Sequence, residues 1–184
     1  MSSQSTQIIG PGKDTGARTV VEVDEPTNAL VVTNAGGVAF IVQRGIAFLV
    51  TRMVEDATGV AQDQILIQTG ALPVNLTIGV VSENDARIIL SEGTTFSAAG
   101  TALTAQNRNR ESALVAASTW THTPTVTLAG TELARWAVLA REKTSQEFIL
   151  AANTDYLLSL EQYSQVTATD VAWELCFYEP DLDA

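Results

Sequence analysis

From Arg18 to Tyr178 the chain switches between short apolar runs and turn-forming residues, roughly every 8–15 residues, and nowhere sustains a clear helical period. The plainest run is Val74–Ser82. Val74, Leu76, Ile78 and Val80 fall on one face, and Asn75, Thr77 and Gly79 on the other. Side chains alternate faces along a strand, so this pattern buries one face and wets the other. Arg18–Asp24, Ala29–Thr33, Val38–Gln43, Gly45–Val54, Gln62–Thr69, Ala86–Leu90, Gln146–Leu150, Asp155–Leu160 and Val171–Tyr178 read as further strands. Between them stand turn residues such as Glu25-Pro26-Thr27-Asn28, Asn34-Ala35-Gly36-Gly37 and Glu83-Asn84-Asp85. The Asn34–Gly37 turn makes a hairpin of Ala29–Thr33 and Val38–Gln43.

Two stretches are less regular. Ser118–Leu128 alternates around Trp120, His122 and Val126, with Pro124 marking an edge or a bulge because it offers no ladder donor. Thr131–Ala140 fits helical and strand spacing equally, and its setting between strands favours strand. Residues 91–113 are rich in Gly, Thr and Ala up to Thr104, then carry Asn107-Arg108-Asn109-Arg110, and read as a long loop or a pair of loose excursions. The expected fold is all-β: an antiparallel, jelly-roll-like β-sandwich of about ten short strands with an extended N-terminal arm. Residues 1–17 form the arm, since Ile8 and Ile9 are its main apolar content, and 18–184 form the sandwich.

Charge excludes whole classes of partner. Only 17% of residues are charged and the net charge is −11. A nucleic-acid-binding face needs clustered cations to displace counterions, and the 10 Lys and Arg here are scattered. An acidic surface also resists anionic membranes. The longest apolar runs, Val38–Val42 and Gly45–Val50, fall short of a bilayer span. Met1–Gln7 is polar and lacks the basic start and apolar core of a leader, so synthesis in the cytoplasm is expected. Cys176 is the single cysteine, so no disulfide forms within the chain.

No catalytic, cofactor-binding or metal-binding residue is assigned. His122 is the single histidine. Cys176, between Leu175 and Phe177, reads as a small hydrophobe in an apolar strand. The acidic groups Glu22–Glu25, Glu55-Asp56, Glu83–Asp85 and Glu179–Asp183 lack the spacing of a calcium loop. Gly10-Pro11-Gly12-Lys13 is followed by Asp14, not by the Ser or Thr of a phosphate loop. Trp120, Trp136, Trp173, Tyr156, Tyr163 and Tyr178 suit either a core or a sugar-binding groove.

The segment Phe96–Ser112 reads Phe-Ser-Ala-Ala-Gly-Thr-Ala-Leu-Thr-Ala-Gln-Asn-Arg-Asn-Arg-Glu-Ser. It follows Glu92-Gly93 and precedes His122-Thr123-Pro124-Thr125-Val126. Glu147-Phe148-Ile149-Leu150, then Asp155-Tyr156-Leu157-Leu158, then Phe177-Tyr178-Glu179 close the chain. In that order these pieces resemble a family of tailed-bacteriophage virion structural proteins, over about residues 60–180. The first 45 residues depart from the pattern, as does Thr131–Ser145, where relatives carry a glycine-rich loop.

The resemblance implies a capsid decoration protein or a similar accessory part, located on the virion exterior and bound to the major capsid protein. It supplies no residue roles. Physical reading of the arm and loop nominates Ile8, Ile9, Phe96, Leu103, Arg108 and Arg110 as contacts to the capsid or another partner. Assembly about a symmetry axis points to a homotrimer, with a dimer as the other expectation. Two other readings stay open: a tail, collar or fibre-associated virion component, and a carbohydrate-binding β-sandwich. An enzyme would need a second histidine or a carboxylate pair converging in a cleft, and none is expected.

Overall fold

The computed structural model describes residues 8–10, 19–24, 29–33, 42, 44–57, 61–163 and 169–180. The chain divides into two compact units, Met1–Arg44 and Gly45–Ala184. In the first, β1 (Ile8–Gly10), β2 (Thr19–Asp24) and β3 (Ala29–Thr33) make a three-stranded antiparallel sheet in that order. The boundary expected after residue 17 is therefore displaced. Ile8–Gly10 is laddered to Thr19–Val21, so the arm contributes a strand to the unit that follows it. The hairpin partner expected at Val38–Gln43 lies almost wholly outside the described residues.

The second unit holds β4 (Ala47–Ala57), β5 (Ala61–Gln68), β6 (Val74–Ser82), β7 (Ala86–Glu92), β8 (Thr95–Ala98), β9 (Thr101–Leu103) and β10 (Gln106–Asn107). It continues with β11 (Thr119–His122), β12 (Thr125–Leu128), β13 (Thr131–Val138), β14 (Thr144–Leu150), β15 (Asp155–Gln162) and β16 (Thr169–Tyr178). One sheet has the order β10-β4-β16-β6-β14 and the other β13-β7-β15-β5-β11-β9, with antiparallel pairing throughout. Set aside β8 to β12, and eight strands remain. In chain order they lie 1-8-3-6 in one sheet and 2-7-4-5 in the other. That is the jelly-roll order, so the all-β sandwich expected from alternation is the fold observed.

Alternation explains the packing. β16 buries Val171, Trp173, Leu175 and Phe177 and turns Ala172 and Glu174 outward. β6 buries Val74, Leu76, Ile78 and Val80. From the second sheet come Ile65, Ile67, Ile88, Leu90, Leu158 and Leu160. Each large side chain so buried contributes about 1.5–3 kcal/mol. At one end of the core, Phe177 packs on Phe48 with ring centroids 5.3 Å apart and on Trp120 of the facing sheet at 4.7 Å.

Two expectations need correction. Residues 91–113 are neither one long loop nor loose excursions throughout, because they contain the paired strands β8, β9 and β10. Ser118–Leu128 is not one strand. It breaks at Thr123, whose φ is 56°, and at buried Pro124, giving β11 and β12. Thr131–Ala140 resolves as strand β13. β8 and β12 pair as a separate ribbon. At its start Gly93 and Thr94 N–H donate to Asp155 O of β15, and at its far end Thr121 Oγ1 of β11 donates to Ala99 O. The ribbon is thus tied at one end to β15 and at the other to β11, and the outward Leu66 and Leu157 of the second sheet are buried.

Candidate partner-binding surface

Within the second unit, the strands that depart from the eight-stranded frame are inserted between β7 and β13. The insertion includes the loop from Arg108 to Ser118, on which Val115 is 86% exposed. Asn and Ser side chains mimic backbone turns by bonding to main-chain groups nearby, and here they do so repeatedly. Asn107 Nδ2 donates to Gly45 O at 2.7 Å and Leu114 O at 3.0 Å. Asn107 Oδ1 accepts from Asn109 N–H, Asn109 Oδ1 from Glu111 N–H, and Ser112 Oγ from Leu114 N–H. Gly45 is required where the loop docks: its φ is +72°, and a Cβ there would stand 2.2 Å from Ser112 Oγ.

The far end of the loop is held by a buried carboxylate. Glu179, 6% exposed, accepts Ala117 N–H at 2.7 Å and Ser118 N–H at 2.8 Å. Hydrogen bonds to an ionised acceptor are among the strong ones. The loop is therefore pre-ordered, and binding through it forfeits little conformational freedom.

What the loop displays is distinctive in charge. From Gly45 onward the chain has seventeen acidic side chains against seven Lys and Arg. Arg52, Arg87, Arg135, Arg141 and Lys143 are ion-paired, to Asp63, Glu161, Glu132, Glu83 and Glu174. Arg108 and Arg110 are exposed and have no such partner among the described residues. Leu114 and Val115 stand beside them, 53% and 86% exposed.

A second polar group lies between the sheets. Asp63, inward on β5, accepts Arg52 Nε at 3.0 Å and Nη2 at 3.0 Å, and Trp173 Nε1 at 2.8 Å. His122 stands near this pair, with Nδ1 2.8 Å from Thr123 Oγ1. Burial, reinforced by the Arg52 charge and opposed by Asp63, holds its imidazole below the usual histidine value. The outer face of the first sheet carries a shallow depression of about 430 Å³ lined by Thr51, Met53, Gly79, Val81, Lys143 and Glu174. Among the described residues no three His, Cys, Asp or Glu side chains converge as metal ligands.

The residues nominated from sequence separate into groups. Arg108 and Arg110 are displayed together on the ordered loop. Phe96 is half-buried in the ribbon opposite Val126, and Leu103 packs against the core opposite Trp120. Ile8 and Ile9 pair with Val21 and Val20 in the first unit. Cys176 is not inside the apolar strand face. It turns outward, half-buried, with Sγ 3.8 Å from Glu174 Oε1, and burial followed by the Glu174 charge pushes its thiol up.

Trp120 and Trp173 are each 2% exposed and Tyr156 1%, so these three aromatics are core. Leu114, Val115 and Asp63 were not singled out from sequence, and Glu179 was read only as part of an acidic tail and of the closing Phe177-Tyr178-Glu179 piece. Ala113-Leu114-Val115-Ala116-Ala117 offers no alternation to mark its tip. Glu179 reads as the start of an acidic tail. Asp63 shares strand parity with Ile65 and Ile67, a signal that it points inward.

No protein-family description matches the chain, and no curated protein does. Among solved structures the chain is similar to a carbohydrate-binding module, CBM36, in complex with calcium and xylotriose. The identity is 13% and the TM-score 0.34, over 68% of this chain and 87% of that one. A likeness that slight transfers no ligand.

Proposed function

We propose that the protein is a structural component of a tailed-phage virion, a decoration protein that binds the outside of the head and stabilises it. The observation that carries this reading is the strand order, 1-8-3-6 facing 2-7-4-5, an architecture shared by viral capsid and lectin domains. Fold alone does not assign function. Support also comes from the resemblance over residues 60–180 and from the pre-ordered loop, which presents unpaired charge and apolar side chains on a rigid frame. In this reading the chain recognises and braces a protein surface, and no residue has a catalytic role. Repetition over many equivalent sites lets modest contacts add where neighbouring copies touch.

The test uses intact particles and emptied heads. Gold-labelled antibody to the full chain is imaged on particles, and purified protein is sedimented with heads stripped of it. Label spread over the head, with saturable co-sedimentation and heads that open at higher temperature once coated, is the expected result. Label confined to the tail or collar moves the protein to the tail, and particles without label end the virion reading.

A further inference from the structure

Opposite edges of the first sheet carry charges of opposite sign that form no direct ion pair among the described residues, Arg108 acting only at longer range on Glu174. At one edge β10 pairs only with β4 in that sheet, and beside it stand Arg108, Arg110, Leu114 and Val115. At the other edge β14 pairs only with β6, and on it Glu147 and Ile149 are exposed, Ile149 at 77%. Glu147 has no ion-pair partner among the described residues. The two edges are joined by one row of the sheet. Arg108 N–H bonds to Ala47 O, Ala47 lies opposite Tyr178, Tyr178 opposite Asn75, and Asn75 opposite Ile149. Strands lie about 4.8 Å apart, so five of them set the edges about 20 Å from each other. Arg108 and Glu147 cannot meet within one molecule.

A second copy can bring them together. We propose that the protein associates head to tail, with Arg108 and Arg110 of one copy against Glu147 of the next and Leu114 and Val115 covering Ile149. Pairing an edge with its own copy about a two-fold axis draws like charges together, which disfavours it. A heterologous contact leaves an open edge at each end unless the assembly closes, so a small ring is the self-consistent product. This contact does not depend on where in a particle the protein sits.

Sedimentation velocity of the full chain, over a range of concentration and salt, tests the assignment. The expected result is one closed oligomer at low salt that loosens as salt screens the charges. R108E/R110E and, separately, E147R each weaken association about tenfold or more. The triple variant R108E/R110E/E147R restores it, because the signs are again opposite. Circular dichroism and melting of each variant establish that it is folded, and the salt series on the unaltered chain stands even where a variant is not. A monomer at all concentrations, an oligomer that neither reversal weakens, or a triple variant no better than its parents overturns the proposal.

Discussion

Asp63 and Arg52 sit where two sheets face each other, with side chains 3% and 16% exposed. The pair draws its worth from completeness, since the carboxylate also takes the Trp173 N–H. Removing one partner leaves a charge stranded in a poorly solvated place. Asp63→Ala is therefore expected to cost about 3–5 kcal/mol in chemical denaturation, whereas R52M/D63L strands no charge and leaves only the Trp173 N–H without its acceptor, a cost of about 1–3 kcal/mol. A loss near zero for the single change would show that water reaches the site. The neighbouring His122 makes a second prediction with a definite sign. Its folded pKa lies below the unfolded value of about 6.5, so the native state prefers the neutral ring. The stability this contributes is present above about pH 6.5 and is lost as pH falls through the lower, folded value. His122→Asn should flatten that part of the stability–pH curve, while the carboxylate-driven decline at lower pH remains. Neither effect was legible in the sequence. Strand parity places Asp63 inward, but its partner on the other sheet and the histidine from β11 meet it only through the fold.

At the scale of elements, legibility followed contrast. β6 and β16 alternate between aliphatic or aromatic and small or polar residues, and both were readable as strands down to the faces they bury. β8, β9 and β12 are half-buried at most; β9 is held by its ladder to β11, and β8 and β12 pair with each other, an arrangement set by partners distant in sequence. The ribbon depends instead on a backbone feature. Gly100, with φ +91°, packs so tightly that a Cβ would lie 2.1 Å from His122 O. Gly100→Ala should destabilise by about 1–3 kcal/mol or shift the ribbon, seen as faster amide exchange in β8 and β12. The neighbouring loop has its own hold. Ala117 N–H and Ser118 N–H bond to different oxygens of Glu179, so Glu179→Gln keeps the shape but turns an amide NH2 towards one of them, an expected loss of about 1–3 kcal/mol. Trypsin should then cut after Arg108 and Arg110 sooner than in the unaltered protein. Equal cleavage rates would mean that the Asn107 and Ser112 bonds hold the loop without Glu179.

For the whole molecule, the sequence pointed to an acidic all-β chain but misplaced its internal boundary, because the composition shift near residue 17 is not a break in strand pairing. β1 hydrogen-bonds across that position to β2, and β2 to β3, so the compact division comes at Arg44. Among the described residues, the core cluster of the sandwich runs from Phe48 to Phe177, on strands paired among themselves. A segment of about 140 residues with its own core cluster and paired strands is large enough to fold alone. Residues 45–184 are thus expected to give an all-β circular dichroism spectrum and one cooperative unfolding transition. Deletion of residues 1–17 should leave the same transition while removing β1 from the first unit. Comparing the two truncations on phage heads separates the roles: if binding falls only when residues 18–44 are also gone, the β2–β3 unit rather than the arm makes the contact. A 45–184 segment that binds hydrophobic dye and melts without cooperativity would show instead that the sandwich needs the first unit to fold.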